Sequence, residues 1–225
     1  MQKSINNKYI CLILARKGSK RIKNKNLVKI NGKPLIKYTL DAITKIMPLD
    51  NIYVSTNDES VIKIAIKHNV NFIKRPKMLC KDNSSSEDGI IHAIKIIEKE
   101  KEFNHVIFLQ ATSPLRDSED IFNCVKKYQK KKLDSIFSAF SAKRFIWTKT
   151  KRLSSITFNY KKRERSQNLK KLIIENGAIF IFNVKKFLKF KNRIFGKFDF
   201  YEMEEHKSFD IDDLQDLKIV KKLLK

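Results

Sequence analysis

Residues Tyr9–Ala15 read YICLILA, and Arg16–Asn26 directly after them read RKGSKRIKNKN. A short, unbroken apolar run of this kind marks a strand covered on both faces, as in a parallel sheet. The loop that follows is basic and contains one glycine, Gly18. Working outward, the same strand-then-helix unit recurs. Pro34 opens a segment with Leu35, Ile36, Leu40, Ile43 and Ile46 or Met47 at helical spacing, with the proline in its favoured first turn. Asn51–Thr56 (NIYVST) is a second strand. Asp58 is placed to cap a helix running to about His68, with Val61, Ile62, Ala65 and Ile66 on its apolar side. Asn71–Lys74 is a third strand, stopped by Arg75-Pro76. After the polar loop Lys77–Ser86, Glu87–Lys101 reads as a helix with Ile90, Ile91, Ile94 and Ile97 inward. His105–Leu109 is a strand, Gln110–Arg116 a loop, Asp117–Lys131 a helix and Asp134–Phe140 a strand. This alternation predicts an α/β fold: a mostly parallel sheet, helices on both faces, right-handed crossovers. Ligands of such sheets bind outside the carboxyl ends of the strands. The loops after Ala15, Thr56, Lys74 and Leu109 are therefore the ones to search for chemistry.

The pattern changes between Ala142 and Ile174, where Trp147, Ile156 and Phe158 lie in short β-like pieces among dense Lys and Arg. Residues 142–174 read as an arm inserted into a single domain spanning 1–225. Its apolar residues suit an oligomer contact, or surface strands packed on the same chain. Gly177–Val184 (GAIFIFNV) is again a strand, Lys185–Phe190 a short helix, and Leu214–Leu224 a terminal helix preceded by Asp210–Asp213.

The chain has 225 residues, 42% of them hydrophobic, enough for one sizeable core. With 5 Gly and 4 Pro it is not a low-complexity chain. No apolar run approaches the ~18 residues of a membrane span. Arg16, Lys17 and Lys20 follow the first apolar run where a secretory leader would need small residues, so a cytoplasmic protein is expected. Cys11, Cys80 and Cys124 form no CxxC pair and read as free thiols, and the four scattered histidines suggest no zinc site. Net charge is +25, from 49 Lys+Arg against 24 Asp+Glu. That balance admits a nucleic-acid binder. The even spread of Lys along the chain, and the lack of basic motifs interleaved with aromatics, favour a lysine-rich surface instead. Part of the charge can still draw in a small polyanionic substrate.

The Arg16–Asn26 loop combines a glycine for close backbone approach with Ser, Asn, Lys and Arg donors, which suits a triphosphate. It is neither GxxxxGK[ST] nor GxGxxG. Taken alone it reads equally as a solvated surface. Asp210 and Asp212 alternate along an extended piece, so both carboxylates can face one side. Two hard oxygen ligands suit a divalent cation; the alternative is an N-cap cluster, with Asp212 or Asp213 capping the terminal helix.

Several stretches, in order, resemble the CMP-sialic acid synthetases (acylneuraminate cytidylyltransferases). They are ARKGSKRIKNKN continuing into NGKPLI, Ser55-Thr56-Asn57-Asp58, Arg75-Pro76 with Ser84-Ser85-Ser86, QATSPLR (Gln110–Arg116), ENGAIFI (Glu175–Ile181) and Asp210-Ile211-Asp212. The resemblance runs from about Tyr9 to Leu217. It implies a Rossmann-like nucleotidyltransferase fold with a dimerisation arm. The implied reaction is transfer of CMP from CTP to the anomeric hydroxyl of a nine-carbon 2-keto acid sugar, with Mg²⁺, releasing pyrophosphate. It puts Arg16, Ser19, Lys25 and Asn26 on CTP phosphates, Arg16 and Lys25 offsetting charge on the leaving group. It puts Arg75 and Ser86 on the nucleotide, Gln110 on the pyrimidine edge or the sugar, and Arg165 on the sugar carboxylate. Asp210 and Asp212 become the Mg²⁺ ligands, leaving Asp213 as the cap. Lys17 stands where Gly is common, Ala111 replaces a usual Pro, and Leu169-Lys170 stands for a usual Leu-Pro. The cytidylyltransferases for the eight-carbon acid Kdo are the nearer rival; their loop usually lacks the Lys-Asn of Lys25-Asn26. A basic nucleic-acid-binding protein on an α/β scaffold is the rival from another class.

Overall fold

The computed structural model describes residues 4–224. In chain order the elements are β1 (Tyr9–Leu14), β2 (Lys29–Ile30), β3 (Lys33–Pro34), α1 (Leu35–Ile43), β4 (Ile52–Thr56), α2 (Glu59–Lys67), β5 (Asn71–Lys74) and α3 (Ser86–Ile97). There follow β6 (His105–Gln110), α4 (Ser118–Lys130), β7 (Ser135–Ala142), β8 (Trp147–Lys149), β9 (Leu153–Ser155), β10 (Leu172–Asn183), α5 (Val184–Phe190), β11 (Phe198–Glu202) and α6 (Leu214–Leu223). The main sheet has the order β11-β7-β10-β6-β1-β4-β5. Every neighbouring pair is parallel except the two made by β10, which runs antiparallel between β6 and β7. The sheet is thus mostly parallel, as expected.

The period of two in β1 divides the core. Cys11 and Ile13 pack with residues of α1, α2 and α4, such as Leu40, Val61 and Ile121. Ile10 and Leu12 face the other way, toward Ile90 and Ile94 of α3 and Phe187 of α5. A strand sandwiched between helical layers must be apolar on both sides, which is why YICLILA carries no alternating polar residue. Helix starts are set by local caps: Asp58 accepts from Ser60 N, and Asp213 from the backbone N–H groups of Gln215 and Asp216, both as expected. Asp117 and Asp120 form a reciprocal capping box.

Of the boundaries that differ from the expectation, three lie beside the site. α3 is Ser86–Ile97 rather than Glu87–Lys101, because the Ser85 hydroxyl accepts from Asp88 N and turn bonds back to Ile97 O close the other end. Gln110 belongs to β6, paired with Leu14, rather than to the loop after it. β10 starts at Leu172, not Gly177, because Leu172–Glu175 pairs with the end of β7 before an irregularity between Glu175 and Phe180. The edge strand β11 was not anticipated: FDFYE lacks the continuous apolar run of its neighbours.

Within residues 142–174, β8 and β9 form a hairpin beside an aromatic cluster. Phe158 meets Phe145 and Trp147 edge-on at 4.9 and 5.1 Å, and the Arg163 guanidinium lies 3.9 Å from the Phe145 ring centre. Trp147, Leu153, Ile156 and Tyr160 stay exposed. No described helix is long and apolar enough to cross a membrane.

A small third core positions the chemistry. Ile22 of the basic loop and Ile211, between the two aspartates, pack together with Ile30, Leu35, Leu217 and Val220. Their burial ties the start of the chain to its end at the carboxyl edge of the sheet.

Candidate active site

The loop after β1 is shaped by its own backbone needs. Gly18 has φ +89° and Asn24 φ +52°, both in the left-handed region that glycine and asparagine adopt most readily. Asn57 Oδ1 accepts from Lys17 N at 2.8 Å, and Asn26 Nδ2 donates to Arg16 O at 3.1 Å. Asn26 thus closes the loop on itself. The result is a cavity of about 340 Å³ lined by Arg16, Ser19, Lys20, Arg21, Lys25, Asp82 and Asp212. Four cations converge on it against two carboxylates. Arg16 Nη1 donates to Cys80 O at 3.1 Å and to Asp82 Oδ1 at 3.0 Å. Lys25 Nζ donates to Ile211 O at 2.8 Å and to Asp212 Oδ1 at 3.1 Å, while Arg21 reaches Asp212 Oδ2 at 3.2 Å.

Arg16 also borders a second, smaller cavity with Leu14, Arg75, Leu79, Ser84, Ser85 and Ser86. Arg75 is only 6% exposed, yet it has no carboxylate partner among the described residues. Its Nε donates to Ser55 Oγ at 3.1 Å and its Nη2 to Ser55 O at 2.7 Å. Burial, and secondarily the Arg16 charge, lowers its pKa, opposed by Cys80. A buried guanidinium held only by neutral acceptors retains its pull on an incoming anion or carbonyl. Ser86, the predicted contact, is the first residue of α3 and lines the same cavity; Ser85 is spent on the helix cap.

Gln110 lies at the carboxyl end of β6. Its Oε1 accepts from Thr112 Oγ1 at 3.2 Å, and its side chain rests on Gly177, where a Cβ would come within 2.8 Å of Nε2. Gly177 also has φ +70°, so two independent constraints demand glycine there. Asn176 braces the same bulge: it accepts from Ser138 Oγ and donates to Ser208 Oγ at 2.8 Å.

Asp210 is half-buried, accepting from Ser113 Oγ at 3.4 Å, and Ile211 N donates to Thr112 O at 2.9 Å. Burial first, and then the Asp212 charge, raises the Asp210 pKa against the pull of Thr112, Lys25 and Ser113. Asp212 is exposed, and Ile211 between the two is fully buried. The Asp212 charge bears on the half-buried Asp210 carboxyl. No group of three or more potential His, Cys, Asp or Glu metal ligands occurs among the described residues. A pair of carboxylates is the kind of donor set that Mg²⁺ takes, since it binds few protein carboxylates and completes its shell with phosphate and water.

The geometry thus gathers Arg16, Ser19, Lys25, Arg75, Ser86 and Asp212 around adjoining cavities, while Asp210, Asn26 and Gln110 line neither. Arg165 stands apart. It is exposed on the arm, at the start of a short 3-10 turn (Ser166–Asn168), and its side chain has no hydrogen bond or ion pair among the described residues. Two contributors were missed in the sequence, and a third, Asn176, was seen only as part of the motif ENGAIFI, with no role given to it. Asp82 carried no local signal. Thr39 was detectable as a polar residue on the inward face of α1; it is fully buried and donates to Gln110 O at 3.4 Å.

A family model described as cytidylyltransferase matches residues 10–225. The chain is 34% identical over 222 residues to an N-acylneuraminate cytidylyltransferase of Escherichia coli, covering 94% of this chain and 51% of that protein. It is 30% identical over 226 residues to a pseudaminic acid cytidylyltransferase of Campylobacter jejuni, covering 97% of both. The chain spans about half the length of the N-acylneuraminate cytidylyltransferases that it matches. Its fold resembles that of a CMP:2-keto-3-deoxy-manno-octonic acid synthetase complexed with CTP, with a TM-score of 0.69 at 14% identity, covering 96% and 98% of the two chains. With its basic loop and paired aspartates at the carboxyl edge of the sheet, and a match running from residue 10 to the last, this chain belongs to the cytidylyltransferase family.

Proposed function

We propose that this protein transfers CMP from CTP to the anomeric hydroxyl of a nine-carbon 2-keto acid sugar, sialic, pseudaminic or a related acid, releasing pyrophosphate. The observation that carries the reading is the buried Arg75, with no carboxylate partner among the described residues, in a cavity joined through Arg16 to the basic one. That pairing offers a nucleoside pocket beside a phosphate pocket. The nine-carbon acid is favoured over Kdo because relatives named for nine-carbon acids are similar in sequence, whereas the likeness to the Kdo enzyme is one of fold alone.

In this reading Arg16, Ser19 and Lys25 take the phosphates, and Arg75 and Ser86 hold the nucleoside. Gln110, pinned by Gly177 and Thr112, presents its amide to the base or the sugar. The sugar oxygen forms a bond to the α-phosphorus as the bond to the β-phosphate oxygen breaks. Arg16 and Lys25 offset the charge gathering on the leaving pyrophosphate. Asp210 and Asp212 would hold Mg²⁺, whose chemistry is to neutralise phosphate oxygens and acidify a nearby hydroxyl. Neither cavity is lined by a histidine or a glutamate. The exposed arm serves, in the same reading, as the contact between two copies of a cytoplasmic enzyme, with Arg165 meeting the sugar carboxylate. Light scattering that finds a fully active monomer overturns that part.

The test is pyrophosphate release with CTP, UTP, ATP and GTP across a panel of nine-carbon acids and Kdo. CTP with a nine-carbon acid should be turned over at least tenfold faster than any other combination. Equal turnover with UTP or ATP removes the base-reading role of Arg75, Ser86 and Gln110, and turnover with Kdo alone selects the eight-carbon reading.

Gly89 offers a finer probe. A Cβ there would lie 3.1 Å from Leu14 Cδ1 and 3.6 Å from the Arg75 guanidinium carbon, with no backbone strain. Gly89→Ala should raise the KM for CTP several-fold by crowding the Leu14 side chain, which lines the same cavity as Arg75. An unchanged KM would separate this wall of the cavity from nucleotide binding.

A further inference from the structure

Asp82 belongs to the loop between the Lys77–Cys80 3-10 turn and α3. Its two oxygens take different cations: Oδ1 accepts from Arg16 Nη1 at 3.0 Å, and Oδ2 pairs with Lys20 Nζ at 2.8 Å. These bonds, Lys20 first and Arg16 second, hold its carboxyl below the usual range. The pairs are exposed, the Lys20 and Asp82 side chains at 75% and 46%. Both cations line the basic cavity, so a phosphate entering it competes with a carboxylate already seated on them. Because exposed ion pairs are weak, a multivalent anion can displace this one.

We propose that Asp82 is a displaceable anion built into the phosphate cavity: it occupies Arg16 and Lys20 until the nucleotide's phosphates replace it, and it returns as pyrophosphate departs, so that the product is held weakly. The proposal rests on the reading of this cavity as the phosphate site. A nucleoside triphosphate brings its nucleoside contacts as well as its charge to displace the carboxylate, whereas free pyrophosphate has only its phosphate contacts and loses to it more readily. The device would set the balance between substrate capture and product release without touching the bond-making atoms.

The test is isothermal titration of metal-free, nucleotide-free protein with inorganic pyrophosphate, for wild type, Asp82→Asn and Asp50→Asn. Asp50 is an exposed carboxylate just before β4, at the opposite end of the parallel strands, paired with Lys101 at 3.0 Å. It controls for net charge. Asp82→Asn should bind pyrophosphate about 3–10-fold more tightly, the scale set by two exposed ion pairs. Asp50→Asn should match wild type. In turnover, Asp82→Asn should show stronger pyrophosphate inhibition by a similar factor and a lower KM for CTP. Unchanged or weaker pyrophosphate binding in Asp82→Asn, with wild type binding, overturns the proposal and makes Asp82 a support for Arg16. Equal tightening in Asp50→Asn overturns it in favour of a net-charge effect. If wild type binds neither pyrophosphate nor CTP, the phosphate-site reading fails and takes this proposal with it. Since Asp82 is exposed, both variants should melt as wild type does, and Asp82→Ala repeats the test without an amide that can hydrogen-bond.

Discussion

Replacing Asp212 by Asn is expected to lower turnover by two or more orders of magnitude while leaving the melting temperature close to that of wild type. The loss corresponds to roughly 3 kcal/mol of barrier, the scale of losing metal placement at a phosphoryl centre. The structure separates this effect from stability. Asp212 is exposed and its pair with Arg21 lies at the surface, where such pairs contribute little to folding, while Lys25, itself largely buried, keeps its hydrogen bond to Ile211 O. The neighbouring carboxylate, Asp213, accepts from Gln215 N and Asp216 N at 2.8 and 3.0 Å and caps α6. Asp213→Ala should therefore show the reverse pattern, a lower melting temperature with activity largely kept.

Asp210 gives a third pattern. Its pKa is raised, so the folded state binds the proton more tightly than the unfolded chain does. The resulting cost to stability is absent below the ordinary carboxylate range. It grows as pH rises between the unfolded and folded values and is complete above them. Asp210→Asn removes that cost and should raise the melting temperature at neutral pH while abolishing turnover. Thermal melts and steady-state rates on the three variants check this directly. An Asp212→Asn enzyme with wild-type rate and Mg²⁺ dependence rules out the metal assignment.

Arg116→Met should give the largest loss of stability, about 3 kcal/mol, since a buried charged donor disappears and Ala178 O and Thr39 Oγ1 lose its hydrogen bonds, while Gln110 O keeps the one from Thr39. For a domain of this size that is a fall of about 6–12 °C in melting temperature. Arg116 is 1% exposed. Its Nη1 donates to Gln110 O at 3.2 Å and Ala178 O at 3.1 Å, and its Nη2 to Thr39 Oγ1 at 2.8 Å. One side chain thereby joins the ends of β6 and β10 to α1. Burial lowers its pKa to about 10, so it is still charged at neutral pH. Arg116→Lys keeps the charge but not the fork geometry, and should fall between wild type and Arg116→Met. Because Gln110 is among the groups it holds, the KM for CTP or for the sugar should rise in both variants. Denaturant and thermal melts decide the matter; a loss below about 1 kcal/mol would show that an apolar side chain fills the site equally well.

Much of the framework could be read from the chain alone because its signals are local. The alternation of β1 between two cores, the helical spacing in α1 to α4, and the caps at Asp58 and Asp213 each depend on residues a few positions apart. The basic loop and the Asp210–Asp212 pair stood out in the same way, by composition and by a spacing of two. Their roles came from the order of motifs along the chain, not from any contact visible in it.

The sequence by itself determined which residues turn inward, where the strands and helices alternate, and which loops lie at the carboxyl edge of the sheet. Only the tertiary structure decided that β10 enters the sheet antiparallel between β6 and β7, that FDFYE becomes an edge strand, and that Gly177 supports Gln110. It also decided that Lys25 meets Asp212 across 187 positions of sequence and that Arg16 meets Asp82 across 66. The reason is physical. Periodicity and capping are satisfied within a turn or two of chain, whereas these contacts exist only once separate elements are packed around shared apolar residues such as Ile22 and Ile211, whose burial brings the two ends of the chain together.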